Sequence, residues 1–222
     1  MINYLSRWSG FYIDEEVAPI RHSFFSGLLY PAEGEELRST LLSLLGTSQK
    51  FSGHRKKVKA ATIPHGNIAL VGKEMAEIYA SIEIPNHVIL LGQNHTERGE
   101  KFAIYSKGAW QTPLGEVKIN EELACLLMEN MPFLRHNELA FFQDPTLEVQ
   151  LPFLQVLSPK TQIVPLTVMP ITPQRCQSLG QGLAKTIQQY QEPILIIVSA
   201  NTDPSDLPCG DPALSIASFA LK

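Results

Sequence analysis

The chain has 222 residues, 44% hydrophobic and 18% charged, with a formal net charge of −4 at pH 7. A chain of this length buries roughly 70–75% of the surface its unfolded form exposes, so its core needs no staple. The acidic balance argues against nucleic acid as an obligatory partner, and three cysteines (Cys125, Cys176 and Cys209) without CxxC spacing do not build a disulfide framework.

Residues 1–20 carry Trp8, Phe11 and Tyr12 without clear periodicity and read as an N-terminal arm. They show no basic region followed by an apolar one, so no signal peptide is expected. No apolar run reaches ~18 residues, and no membrane span is expected either. With the sparse cysteines, this points to the cytoplasm. A helix is predicted over residues 33–45, where Leu37, Leu41, Leu44 and Leu45 recur at helical spacing and Gly46 is expected to stop it. The basic run 54–59 reads as a solvated loop before a strand. Residues 59–67 then form a strand and a polar turn, Pro64-His65-Gly66-Asn67. A helix over 68–82 follows, with Leu70, Met75, Ile78 and Tyr79 as its candidate packing face. Residues 88–91 are a short apolar strand, and Gly92 is expected to break it before Asn94 and His95.

Strands are predicted over 101–105 and 116–119, around a turn-rich stretch at 110–115. Asn120 is placed to cap a helix over 121–131. Residues 132–146 read as irregular, and a helix over 147–157 is expected to be limited or kinked at Pro152. A strand (163–168), a helix (174–190) and a buried strand (194–198) follow, and the last helix-like segment is 212–221. Apolar strands alternating with helices predict one α/β domain over residues 1–222, a mostly parallel sheet covered on both faces.

The strand–helix–strand unit around residues 59–95 carries the functional signal. Its crossover makes the two strands parallel, so His65 and His95 emerge at the same edge, the carboxyl ends where open α/β sheets place ligands. Two readings of that pair stand: a metal site, since imidazole ligates many metals, or two hydrogen-bonded histidines closing their loops. Asn94 lies beside His95, and Asn201 and Asp203 follow a strand at the same edge, where they could hydrogen-bond a ligand; Asp203-Pro204 is also ordinary turn chemistry. Glu148 reads as a solvated or capping carboxylate on a polar helix face rather than a ligand. Phe25, Tyr30 and Trp110 are candidates either to line a pocket or to pack in the core.

Five collinear motifs carry a resemblance. FSGLLYP at 25–31 resembles AGxxYP, IPHGN at 63–67 resembles PHAGY, and LLGQNH at 90–95 resembles LGPNH. TPLGEVKIN at 112–120 is similar to TPLGxVxVD, and LEVQLPFLQ at 147–155 to EHSLEVQLPFLQ. These are motifs of the Memo family, whose bacterial and archaeal members are called protein B of the AmmeMemoRadiSam system. The resemblance implies the fold of LigB-like class III extradiol dioxygenases, an α/β sandwich with a metal site. It also implies iron(II) or copper as the metal, with His65, His95 and, through PCGDP, Cys209 as ligands. AMMECR-domain and radical SAM proteins are the partners it implies.

The chain departs from the pattern where the family has two further histidines. Pro145 stands in the EHS position, Asn201 replaces the aspartate of SSDxxH, and Pro204 replaces its histidine. Proline cannot exchange a proton. Only residues 205–208 separate that stretch from Cys209, so a C-terminally shortened member of the family is expected. The expected function is a dioxygenase-like metal site without classical ring cleavage; the alternative is a non-catalytic interaction module that grips a partner in the cleft. A homo-oligomer is expected as well, with Leu214, Ile216 and Phe219 of the last helix as candidate contacts.

Overall fold

A computed structural model of the chain describes residues 19–47, 55–200 and 212–221. In chain order its elements are β1 (Ile20–Arg21), α1 (Gly34–Thr47), β2 (Ala60–Ile63), α2 (Ile68–Ser81) and β3 (His87–Gln93). Next come β4 (Phe102–Ile104), β5 (Ala109–Thr112), β6 (Gly115–Lys118), α3 (Glu121–Asn130) and β7 (Arg135–His136). The remainder is α4 (Leu151–Leu157), β8 (Gln162–Val168), α5 (Pro173–Gln189), β9 (Ile194–Ser199) and α6 (Pro212–Ala220).

A six-stranded sheet in the order β2-β9-β3-β8-β4-β7 forms the middle layer. Its pairs are parallel except β4 with β8. The central strands are apolar without interruption because both faces are covered. Along β3 and β9 the pleat sends Val88, Leu90, Leu195 and Ile197 into one apolar cluster with α1, α2 and α4. Ile89, Leu91, Ile196 and Val198 enter the other, against α3, α5 and α6. The result is the expected three-layer α/β sandwich. A small sheet, β1-β5-β6, flanks the first cluster and contributes Trp110 and Val117 to it.

Several local expectations are corrected. Leu70 does not pack on the sheet but is 83% exposed. The buried positions of α2 are Ile68, Gly72, Met75, Ala76 and Tyr79, spaced by three and four, and Leu70 falls on the opposite side. Gly46 lies inside α1 rather than stopping it. Gly92 lies inside β3, where its missing side chain matters: a Cβ there would sit 2.7 Å from Thr146 Cγ2 and 2.8 Å from Leu147 Cδ2. The predicted helix over 147–157 is a 3-10 turn, Glu148–Gln150, followed by α4. Pro152 sits in the first turn of α4, where its missing N–H costs nothing, so it starts this helix rather than kinking it. The strand β5 was not expected; it pairs with β1, about 90 residues earlier, and with β6.

One candidate contact of the last helix, Ile216, is also corrected. Ile216 is 2% exposed, packed within the chain rather than offered to another copy. A Cβ on Gly180 of α5 would meet Phe219 Cβ at 2.3 Å and Ile216 O at 2.8 Å, so the glycine lets α5 and α6 approach closely. The N-terminal arm, with Trp8, Phe11 and Tyr12, lies outside the described residues.

Candidate functional site

The site lies at the carboxyl edge of β2, β9 and β3. The chain places β9 between the two strands of the βαβ unit, and the register sets Ile63, Ser199 and Gly92 side by side. His65 follows two residues after Ile63, and His95 three after Gly92, so the turns bring the two rings over Ser199. Their centroids are 5.5 Å apart with an interplanar angle of 51°.

Each histidine is aimed by an asparagine in its turn. Asn67 caps α2, its Oδ1 accepting from Ala69 N at 2.9 Å, and so fixes where the turn after His65 ends. Asn94 is 1% exposed. Its Oδ1 accepts from Thr96 N and Thr96 Oγ1, while Nδ2 donates to Arg98 O at 2.8 Å. Asn94 therefore builds the turn that carries His95, and its polar atoms are committed to that turn.

Asp144 is the residue that sequence reasoning missed. One of its oxygens accepts from His95 N at 3.0 Å and the other from Thr146 N at 2.9 Å. It ties the loop before α4 to the end of β3 and places a negative charge beside the imidazoles. His65 titrates at about 4, well below the ordinary imidazole value. Burial is the main cause, and neighbouring His95 adds to it; the Asp144 charge and a hydrogen bond with the Ser199 backbone oppose it. At neutral pH His65 is thus an unprotonated imidazole, able to donate an electron pair but a weak general base.

Beneath the rings runs a buried polar chain. Gln150, 0% exposed, donates from Nε2 to Pro64 O at 3.0 Å and to Ser199 Oγ at 2.8 Å. Its Oε1 accepts from the Tyr79 hydroxyl at 2.9 Å. Ser199 Oγ donates to Thr146 O at 2.6 Å and lies 3.4 Å from His65 Nδ1.

Glu148 is not solvated, which corrects that half of the sequence expectation; it caps backbone N–H groups instead. It is fully buried and paired with Arg21 Nη1 at 2.7 Å. Its two oxygens also accept from Phe24 N, Phe25 N and the Tyr30 hydroxyl. The FSGLLYP loop is thereby pinned to the start of the 3-10 turn. Arg21 also lies over the Trp110 ring, 4.2 Å from its centroid, and donates to Phe141 O. Burial, then the adjacent Glu148 charge, pushes the Tyr30 hydroxyl far above its usual range, so it stays protonated as a donor. Tyr30 and Trp110, 4% and 1% exposed, are core residues. Phe25 packs partly buried against the same core.

Cys209, Asn201 and Asp203 lie outside the described residues. Among the described residues no three His, Cys, Asp or Glu side chains are grouped to hold a metal ion. His65 and His95 fit two ligand positions, and Asp144 has each oxygen engaged by a backbone N–H. Clefts of about 590 and 670 Å³ open elsewhere, and neither is lined by the histidines. No helix among the described residues is long and apolar enough to cross a membrane.

Comparison with known proteins agrees with the motifs. A family model for Memo-like proteins matches residues 21–204. A MEMO1 family protein of Aquifex aeolicus is 34% identical over 183 residues, which cover 82% of this chain and 66% of that protein. One from Sulfurisphaera tokodaii is 36% identical over 143 residues, 63% of this chain and 50% of that protein. One from Pyrococcus furiosus is 30% identical over 189 residues, 82% of this chain and 64% of that protein. The matched part thus spans between half and about two thirds of these relatives. The chain belongs to the Memo family.

Proposed function

We propose that the carboxyl edge of the sheet is a metal-binding site in which His65 and His95 supply two nitrogen ligands to iron(II) or copper. The observation that carries this reading is the pair of adjacent imidazoles, 5.5 Å between centroids, with His65 kept unprotonated at neutral pH by burial. Metal binding needs neutral imidazole, and here no proton has to be displaced from His65. Cys209 is the proposed third ligand. The metal would polarise a bound oxygen ligand; the residues around it position the loops and exclude water.

The reading does not extend to ring cleavage. Pro145 stands immediately after Asp144, where an imidazole would be needed to move a proton near the rings, and Pro204 likewise cannot move one. Elemental analysis of the purified protein and of a His65→Ala/His95→Ala variant tests the site. Iron or copper should be present in the first and fall to background in the second, and equal contents overturn the proposal. Catechol ring cleavage by protein loaded anaerobically with iron(II) is expected to be undetectable.

A second reading, a protein-binding module, is favoured by one observation. Leu28 and Leu70 are 69% and 83% exposed on segments joined by the Asn67 Nδ2 to Leu28 O and Ile68 N to Leu29 O hydrogen bonds. Large apolar side chains exposed on two joined segments suit a contact surface. The AMMECR-domain and radical SAM proteins are its proposed partners. Pull-down with wild type and with a Leu28→Ser/Leu70→Ser variant separates the readings: a partner lost only in the variant supports this one.

A further inference from the structure

The buried chain under His65 has a direction, and two carbonyl groups set it. A backbone carbonyl only accepts hydrogen bonds. Pro64 O, 3.0 Å from the Gln150 amide, therefore requires the NH2 end of that side chain to face it. The same NH2 then faces Ser199 Oγ, and Oε1 is left for the Tyr79 hydroxyl. Tyr79 must donate, and burial pushes its hydroxyl well above the ordinary range, which keeps that proton in place.

The second carbonyl fixes the next link. Ser199 Oγ receives a hydrogen from Gln150 and sits 2.6 Å from Thr146 O, so its single hydrogen goes to that carbonyl. Nothing remains on Ser199 to donate to His65, whose Nδ1 lies 3.4 Å away. A bare Nδ1 would set one lone pair against another. The contact is favourable only if Nδ1 carries the hydrogen.

We infer that Ser199, oriented by Gln150 and the Thr146 carbonyl, is the positioning residue that fixes His65 as the Nδ1–H tautomer and leaves Nε2 with its electron pair for a ligand. Second partners of this kind set which imidazole nitrogen is free to bind. The role deepens the reading of the site as a metal centre and rests on it only for the affinity measurement below. It also accounts for Gln150 in the LEVQ stretch: an amide can hold two acceptors and one donor at once, which neither glutamate nor leucine at that position would do.

Two-bond proton–nitrogen correlation spectra of protein labelled with nitrogen-15 histidine, stripped of metal and held at pH 7.5, read the tautomer directly. In the wild type His65 should show a protonated Nδ1 and a bare Nε2. Ser199→Ala should move the ratio toward the other tautomer by about fivefold, the worth of one ordinary hydrogen bond. Ser199→Thr, which keeps the hydroxyl, should retain the wild-type pattern. A wild-type spectrum with Nε2 protonated overturns the assignment, and does so even if the variants fail to fold. An unchanged ratio in a folded Ser199→Ala protein overturns the role of Ser199. Cobalt(II) titration forms the second arm, with Ser199→Ala expected to bind roughly 10–100-fold more weakly than wild type. If wild type binds no cobalt while the spectra are as expected, the metal reading falls and the tautomer assignment stands.

Discussion

Glu148 and Gln150 stand two residues apart in one motif, and both are fully buried, yet they serve two unlike regions. Glu148 faces the FSGLLYP loop, where an ion pair, two backbone N–H groups and a phenol saturate its carboxylate. Gln150 faces the histidines, where the hydrogen-bond chain ends on an imidazole with a nitrogen to spare. A buried polar cluster with every group satisfied holds a loop in place. One that stops short of satisfaction keeps capacity for something else.

The sharpest way to break this comparison is to remove Glu148. Glu148→Ala leaves the Arg21 guanidinium, two N–H groups and the Tyr30 hydroxyl without their acceptor, and should cost about 3–5 kcal/mol. For a chain of this size that lowers Tm by about 10 °C, measurable by calorimetry. Arg21→Met combined with Glu148→Leu should recover only part of the loss, because the N–H groups of Phe24 and Phe25 remain orphaned.

Gly92→Ala tests the joint between the regions. Its Cβ would press on Thr146 and Leu147 in the segment that carries both Asp144 and Glu148. Overpacking there should cost about 1–3 kcal/mol in urea denaturation.

A smaller effect belongs to the histidine side alone. His65 titrates at about 4 in the folded chain, below its ordinary 6.5, so between those values the unfolded chain binds more protons. Stability of the metal-free protein should therefore be full above about pH 6.5, fall as pH drops towards 4, and be level below it. The whole shift would correspond to about 3 kcal/mol, and partial exposure of the ring reduces this to about 1–2 kcal/mol. His65→Gln should lack this part of the slope; parallel pH–stability curves for the two proteins would contradict it. The smallest effect is expected at the rim. Leu70→Ser, on the open side of α2, should change stability by no more than about 0.5 kcal/mol.

The same contrast explains what could be read in the sequence. The βαβ unit was legible because its periodicities are local: apolar runs for β2 and β3, and spacings of three and four along α2. The two histidines were legible because strand ends follow from those runs. Asp144 was not, since a lone carboxylate before a proline reads as a turn and its partner N–H belongs to His95, 49 residues earlier. Glu148 was visible in a motif but not its burial, which is decided by Arg21, 127 residues away. β5 escaped for a similar reason: its pairing with β1 is remote, and Gly108, Pro113 and Gly115 around it signal turns. Local order writes itself into spacing, whereas a buried polar pair depends on which distant segments meet.

The place of β9 has a consequence for how the chain acquires its histidine site. β2 and β3 lie 24 residues apart in sequence, but between them the sheet is filled by β9, which pairs with β2 and β3 at once. On the ribosome, the segments bearing His65 and His95 emerge long before Ser199. Until β9 arrives, the facing edges of β2 and β3 lack their ladder partner, and the two rings have no floor. Pairings of such long sequence separation form slowly and late. The histidine site is therefore a late product of folding, and the nascent chain goes without it until the strand that lies under both histidines has been made.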